Sequence, residues 1–286
     1  MINKIQLFFS LIICLFFVPS ANSQTTYNSE IKEVAVSLYN SFDKIQKLSG
    51  GLSFNDTSRI KWNNLPVGLR ARVGTSIGNM TDEQRKLVHR ILSVSFSSQG
   101  YLKATSIMHL DNLLNQYYDS LFYKKKIDST TYDFVRSLLW SHKNYFFAFF
   151  GQPTDSVWGY KLEGHHLSVN FTFVNDKLSV TPFFIGTDPA EYSNSEYAGW
   201  RVLGQEEDLG IKLVTLLSPD QQKKAIMSTT VPKDIITAAE SGKRLVDNWG
   251  ILGAKMNTNQ KAVLQYIILN LCLTLNMRRH QLNMIK

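Results

Sequence analysis

A short segment near the middle of the chain concentrates side chains that could hold a metal ion or carry out acid–base chemistry. Glu163, His165 and His166 lie within four residues, and Gly164 separates the acid from the two histidines. Carboxylates and neutral imidazoles are the usual oxygen and nitrogen ligands of zinc, and both groups also act as general acids or bases. The segment therefore predicts a catalytic or metal-binding site at Glu163, His165 and His166, with a divalent metal such as zinc as its cofactor.

The residues around this segment have the composition of a β-sheet. Aromatic and β-branched residues dominate 145–150 and 158–185, and the polar pair Asn175–Asp176 predicts an antiparallel hairpin. Apolar and polar residues alternate in the arm before this pair, so we expect a half-buried sheet. Its expected apolar face consists of Leu167, Val169, Phe171 and Phe173.

The strand period decides which candidate residues can act together. On a regular strand Glu163 and His165 project from one face and His166 from the other, so the two adjacent histidines would not bind the same ion. The acid and His165 stand roughly 6.5 to 7 Å apart along such a strand and could converge on one ion. Gly164 would permit a bulge that re-aims either histidine.

A zinc site needs at least three protein ligands, and the acid with one histidine supplies two. The third could come from Asp188, Glu206 or Glu207, and the sequence does not select among them. The alternative is structural, with His165 packed in the core and His166 hydrogen-bonded on the polar face.

Helical periodicity flanks the strand-rich region on both sides. Helices on either side of a hairpin, without alternating strand–helix units, predict an α+β fold that is mostly helical, with a central antiparallel β-hairpin or sheet carrying the E-G-H-H segment. Three predicted helices span 29–48, 107–117 and 206–217. Three more begin near Thr81, at Ser218 and at about Thr258.

Length and composition describe a packed globular domain. The chain has 286 residues, of which 44% are hydrophobic and 19% charged, and no internal repeat is evident. Its net charge of +8 is scattered, without a basic face interleaved with aromatics, so we predict no nucleic-acid partner. An unknown small molecule or cell-surface ligand remains a candidate partner.

The N-terminus has the features of an export signal. Lys4 precedes an uncharged apolar run at 7–18, and Ala21-Asn22-Ser23 places small residues around a cleavage site. Roughly 20 apolar residues are needed to span a bilayer, so we predict a cleaved signal peptide rather than an anchor. The expected product is a single secreted or periplasmic α+β domain, residues 24–286, with no integral membrane span.

The C-terminal helix has an unusual distribution of apolar residues. Residues 262–277 carry no charge, and their apolar side chains are spread around most of the helix instead of forming one stripe. Such a helix must be covered, because a contiguous exposed apolar patch favours association. We therefore predict self-association through this helix.

Residues 158–167, with the pattern W-G-x-x-x-x-G-H-H-L, resemble the hallmark of an exported, mainly bacterial family known as domain of unknown function 3500. The similarity extends over about residues 49–232. It includes Trp62 with Pro66, 98–101, 150–153, 181–186 with Pro189, Leu203 with Glu206 and Glu207, and 217–222 with Ala225. The family has no established activity, so the resemblance implies export and the fold but no reaction.

The resemblance also implies a difference at the C-terminus. Family members continue past the last helix through an aromatic, strand-rich segment with an N-H-x-H stretch followed by W-R-D, and this sequence ends at Lys286 without it. The expectation is a C-terminally truncated member. If the family has a metal or catalytic centre, those histidines are the expected partners of His165 or His166.

Three functions from different classes are compatible with these observations. The first is an exported metal-dependent hydrolase or oxidoreductase, favoured by Glu163 and the histidines beside the aromatic Trp158 and Tyr160. The second is a non-catalytic ligand-binding module, favoured by the absence of a complete catalytic motif such as H-E-x-x-H. The third is a structural protein in which the histidines lock the hairpin onto the helices.

Overall fold

The computed structural model describes residues 23–175, 177–233, 235, 237, 249–272, 274 and 275, so most of the predicted signal peptide lies outside the described residues. Within them the chain forms eight α-helices and one mixed sheet, and the predicted α+β class is confirmed. The helices are α1 (Ser23–Ser41), α2 (Lys44–Gly50), α3 (Asp82–Ser95), α4 (Ser98–Tyr123), α5 (Ser129–Ser137), α6 (Gly204–Thr215), α7 (Pro219–Ala225) and α8 (Thr258–Cys272).

The sheet has seven strands in the order β1-β3-β4-β5-β6, with β2 also paired to β3 and β7 also paired to β5. The strands are β1 (Gly51–Leu52), β2 (Thr75–Ser76), β3 (Phe146–Phe150), β4 (Val157–Glu163), β5 (Leu167–Val174), β6 (Lys177–Ser179) and β7 (Phe183–Ile185). β1 runs parallel to β3 and the other pairs are antiparallel, so the sheet is mixed rather than antiparallel as predicted. The predicted hairpin is confirmed, because Val174 pairs with Lys177.

One face of the sheet carries an aromatic ladder across its three central strands. Tyr160 stacks between Phe147 at 5.3 Å and Phe171 at 4.8 Å, and Trp158 stacks on Phe173 at 4.3 Å. Helices α1 and α3 cover this face. Their buried residues recur every three or four positions, as an amphipathic helix requires. They are Ile31, Ala35 and Leu38 on α1 and Val88, Ile91 and Leu92 on α3.

On β4 and β5 the opposite face of the sheet carries polar residues and is also buried, so the predicted half-buried sheet is wrong. Lys161, Ser168 and Asn170 are each no more than 2% exposed. Loops that lie over this face accept two of their hydrogen bonds, because Lys161 donates to the Ser58 carbonyl and Asn170 to the Pro182 carbonyl. A polar strand face can be covered when the covering segment supplies such partners.

The helix predicted over 29–48 is two helices. The Asp43 side chain caps α2 by accepting a hydrogen bond from the Gln46 backbone amide at 2.8 Å. In return, the Gln46 side chain accepts from the Asp43 backbone amide at 3.0 Å. This capping box starts a new helix, so Ile45 and Leu48 are exposed instead of buried. The predicted caps at Thr81 and Ser218 are confirmed. None of the described helices has the length and apolarity needed to cross a membrane.

Candidate metal centre

The two histidines lie in a tight turn rather than on a strand. β4 ends at Glu163, β5 begins at Leu167, and the Gly164 amide donates to the Leu167 carbonyl at 2.9 Å to close the turn. His166 has a φ of 90°. The imidazole centroids of His165 and His166 are 4.0 Å apart, so the prediction that they face opposite sides of a strand is wrong. The alternation of side chains along a strand, which predicted opposite faces for the two histidines, applies only as far as Glu163.

β7 brings a third side chain to this turn. Ile185 pairs with Leu167 at the start of β5, and the Gly186 amide donates to the His166 carbonyl at 2.7 Å. Asp188 follows two residues later. Its Oδ2 lies 4.0 Å from His165 Nε2, and the ligand atoms of the two histidines and Asp188 all lie within 4.8 Å of one another. Of the three acids considered as a third ligand, Asp188 is the one that meets the histidines.

Asp111 on α4 hydrogen-bonds to the ring nitrogen of His165 that faces away from Asp188. Its Oδ1 lies 2.7 Å from His165 Nδ1, and both side chains are buried. The Tyr145 hydroxyl contacts the His165 carbonyl and lies 3.0 Å from Asp111 Oδ2. We assign the Nδ1 proton of His165 to this hydrogen bond, which leaves the Nε2 lone pair towards Asp188. Burial raises the pKa of Asp111, and its hydrogen bonds from His165 and Tyr145 act in the opposite direction.

His166 is held in its neutral form. Burial, and to a smaller extent the charge of His165, lowers the pKa of His166 to about 3. Its Nδ1 is buried and has no hydrogen-bond partner among the described residues. Buried polar atoms are rarely left unpaired, and a neutral imidazole is the form that binds metals. The imidazole of His166 therefore has the properties of a ligand.

The structure separates Glu163 from the histidines. Its Oε1 accepts from the Asn63 amide at 2.8 Å and from the Ser168 hydroxyl at 2.9 Å. Its Oε2 lies 3.5 Å from Lys161 Nζ and 3.7 Å from Arg72 Nε. The predicted pairing of Glu163 with His165 on one strand face is not found, because Glu163 lies on the polar face of the sheet and His165 lies in the turn.

The other two acids considered as ligands lie elsewhere. Glu206 forms an ion pair with Lys103 between α6 and α4. Glu207 lies 2.8 Å from Arg201 within the α6 region. Among the described residues, neither acid belongs to the cluster that the histidines form with Asp188.

Asp111 is not among the residues that the sequence pattern predicts for the site. It is separated from His165 by 54 positions, and nothing local connects the two residues. A signal was nevertheless present, because Asp111 is the only acid between Glu83 and Asp119 and lies among the apolar residues of a helix. A lone acid on an apolar helix face needs a buried partner.

The cluster has the chemistry of an incomplete coordination sphere. Two imidazoles and a carboxylate are ligands of zinc and of other divalent transition metals. In a tetrahedral zinc site neighbouring ligand atoms lie about 3.3 Å apart, so the atoms would have to approach by about 1 Å. The Asp188 side chain is 49% exposed and is therefore the ligand best able to move. Its exposure also leaves one side of the cluster open to solvent.

Comparison with known proteins adds the family but no reaction. No curated protein and no solved structure matches the sequence. The resemblance inferred from residues 158–167 is confirmed, because a family model described as "Protein of unknown function (DUF3500)" matches residues 24–286. The chain belongs to this family.

Proposed function

We propose that this protein is an exported metal-dependent hydrolase whose divalent metal, zinc, is bound by His165, His166 and Asp188. Two imidazoles and one carboxylate form the three-ligand set of a catalytic zinc, with a further position for water. The exposed side of the cluster at Asp188 provides access for water and substrate.

The observation that carries the proposal is the buried hydrogen bond between Asp111 and His165. Metal-binding histidines almost always donate their second ring nitrogen to a carboxylate or carbonyl, which fixes the tautomer and raises the basicity of the ligating nitrogen. The Asp111 contact at Nδ1 would do this for His165 Nε2. His166 Nδ1 supports the same conclusion, because it is buried and no hydrogen bond from the described residues occupies it.

Zinc accounts for hydrolysis without a further cofactor. It lowers the pKa of a bound water to about 7, which supplies a nucleophile at neutral pH. Zinc has no redox chemistry, so it also suits the oxidising surroundings of an exported protein. The same ligand set binds iron(II) in oxygenases, so an oxidoreductase is the alternative if iron is found.

Metal analysis of the purified mature chain tests the proposal. We expect about one equivalent of zinc by inductively coupled plasma mass spectrometry, and loss of this metal in Asp188→Asn and His166→Asn. Asp133→Asn is the matched control, because Asp133 is an exposed acid on α5. Hydrolysis of p-nitrophenyl esters should be lost with the metal and restored by adding zinc.

The outcomes separate the three candidate functions. Iron in place of zinc would favour the oxidoreductase. A protein that binds no divalent metal, with unchanged folding in Asp188→Asn, would contradict the proposal and favour a non-catalytic binding or structural role.

A further inference from the structure

A cationic pocket lies beside the histidine turn, on the polar face of the sheet. It has a volume of about 250 Å³, and its lining includes four cations, Lys61, Arg70, Arg72 and Lys161, with Glu163 as the only carboxylate among the described residues. Lys61 and Arg70 are exposed, whereas the side chains of Arg72 and Lys161 are 1% and 2% exposed. The pocket therefore has buried positive charge at its base and mobile positive charge at its mouth.

The buried cations are only partly neutralised. Glu163 offers them one oxygen, Oε2, because its Oε1 already accepts from an amide and a hydroxyl. This oxygen lies 3.5 Å from Lys161 and 3.7 Å from Arg72, so it is shared between two cations. Asp56, whose Oδ1 accepts from Ser58, adds a second and weaker attraction to Lys161. Buried charges require partners of opposite sign. With Lys61 and Arg70 counted, four cations around the pocket face Glu163 and the more distant Asp56 among the described residues, so positive charge remains in excess.

An unpaired donor points to the same need. Arg72 Nε is buried and has no hydrogen-bond partner among the described residues. The remaining donors of Arg72 are used on backbone carbonyls, which supply dipoles but no negative charge. Guanidinium groups bind carboxylate and phosphate oxygens through paired N–H donors. An oxyanion in the pocket would supply the missing negative charge, and contact with Arg72 Nε would require the guanidinium to turn towards it.

Two contacts join the pocket to the proposed metal centre. Arg72 Nη2 donates to the carbonyl of Gly164 at 3.2 Å, one residue before His165. On the other side, Trp62 lines the pocket and stacks on Phe184 at 4.9 Å, and Phe184 in turn lies 6.5 Å from the His166 ring. The pocket is thus connected to the proposed centre through Arg72 on one side and through Trp62 and Phe184 on the other.

We propose that this pocket binds a carboxylate or phosphate group of the substrate and so orients the bond to be hydrolysed towards the metal. The substrate class is then a small anionic molecule whose oxyanion lies a few bonds from the reacting group. This inference rests on the proposed function for its catalytic part, but oxyanion binding itself needs no metal.

Calorimetric titration of the EDTA-treated mature chain tests the pocket alone. Inorganic phosphate and acetate are titrated separately at constant ionic strength, which distinguishes the two oxyanions. We expect saturable binding of at least one of them, and about tenfold weaker binding in the double variant Lys61→Gln/Arg70→Gln. The matched control is Lys32→Gln/Arg90→Gln, which removes the same charge from exposed positions on α1 and α3.

The results distinguish this inference from the proposed function. Equal weakening in both double variants would show non-specific attraction to net charge and would overturn the pocket, as would the absence of saturable binding. Zinc content unchanged in Lys61→Gln/Arg70→Gln, with oxyanion binding unchanged in Asp188→Asn, supports two separate subsites. If the chain binds an oxyanion but no metal, the inference about the pocket is supported and only the proposed hydrolase function is contradicted.

Discussion

At the scale of the residue, the orientation of the His165 side chain is set by a residue that is distant in sequence rather than by its neighbours in sequence. The sequence grouped the two histidines with Glu163, which lies near Arg72 and Lys161 instead. The partner that orients His165 is Asp111, on a helix far away in the chain. Local spacing cannot reveal such a contact, because it depends on how α4 packs against the end of β4.

Asp111→Asn tests the orienting role directly. The asparagine keeps the size of the side chain and can still accept from His165 Nδ1, but it no longer carries a negative charge. We expect zinc affinity to fall by about 10- to 100-fold, the usual effect of removing the carboxylate behind a ligating histidine. Competition with a chelator measures the affinity, and unchanged affinity would remove the main support for the metal centre.

Glu163→Gln should affect stability and leave the metal in place. The amide oxygen can still accept from Asn63 and Ser168, but Arg72 and Lys161 lose their shared carboxylate. Breaking a buried ion pair on one side costs about 3–5 kcal/mol, which urea denaturation will measure. Glu207→Gln is the control, since its pair with Arg201 is exposed and should cost under about 1 kcal/mol. Loss of zinc from folded Glu163→Gln would return Glu163 to the ligand set.

His166 should make the metal-free protein sensitive to acid. The folded pKa of about 3 lies below the usual value of 6.5, so between these values the unfolded chain binds a proton that the folded protein excludes. Stability is therefore complete above pH 6.5 and should fall by about 1.4 kcal/mol per unit as the pH is lowered below it.

Urea denaturation in EDTA at pH 7.0 and pH 5.5 checks this prediction against His166→Asn. Asparagine tolerates the positive φ of this position and does not titrate. The opposite contribution of Asp111, whose pKa is raised, is common to both proteins and cancels in the comparison. Identical pH slopes for the two proteins would show that His166 is free to protonate in the folded state.

At the scale of the element, the sequence predicted two capping boxes and the hairpin at Asn175 but missed the turn at Gly164 and the break between α1 and α2. The boxes at Thr81 and Ser218 are local, with a hydroxyl and a glutamine three residues apart, and both are present. The capping box at Asp43 and Gln46 follows the same rule. It was not predicted because the helical spacing of apolar residues continues through Ile45 and Leu48 and suggested one uninterrupted helix. The turn at Gly164 was extended into a strand because its residues continue a strand-like sequence.

The geometry of that turn depends on the absence of a side chain at Gly164. A Cβ there would lie 2.4 Å from the ring of Tyr145, the residue whose hydroxyl contacts Asp111 and the His165 carbonyl. Gly164→Ala should therefore displace Tyr145 and destabilise the protein by about 1–3 kcal/mol, with loss of zinc.

Gly210→Ala on α6 is the matched control, because nothing lies within 4 Å of its Cβ position. It should be neutral or stabilising by up to about 1 kcal/mol, since alanine is the better helix former. Thermal denaturation compares the two variants. If Gly164→Ala were as stable as Gly210→Ala and retained zinc, the turn would tolerate a different conformation.

At the scale of the whole molecule, the protein has a well-covered sheet and a poorly covered helical region. Both sheet faces are buried, but on α8 only Gln260 and Val263 are buried among the described residues. Exposed apolar side chains continue across α6 and α8, which pack against each other. They are Ile211, Val214, Leu216, Tyr266, Leu269 and Leu271.

This surface is the basis of the predicted self-association. Exposed apolar side chains on two neighbouring helices favour contact between copies, while the net charge of +8 opposes it through repulsion. Added salt screens the repulsion and leaves the apolar attraction in place, so association should increase with ionic strength. An interface held by ion pairs would respond in the opposite direction.

Light scattering of the mature chain at low and high salt measures this response. Tyr266→Gln/Leu271→Gln removes two side chains that are 63% and 46% exposed, and should shift the protein towards the monomer. Ile45→Gln/Leu48→Gln on α2 is the control, because it removes side chains that are even more exposed, at 77% and 75%, from another surface. Equal shifts in both variants would indicate general hydrophobic aggregation. A wild-type protein that stays monomeric at every salt concentration would show that the α6 and α8 surface does not associate, and that its apolar side chains are tolerated in water because they are dispersed.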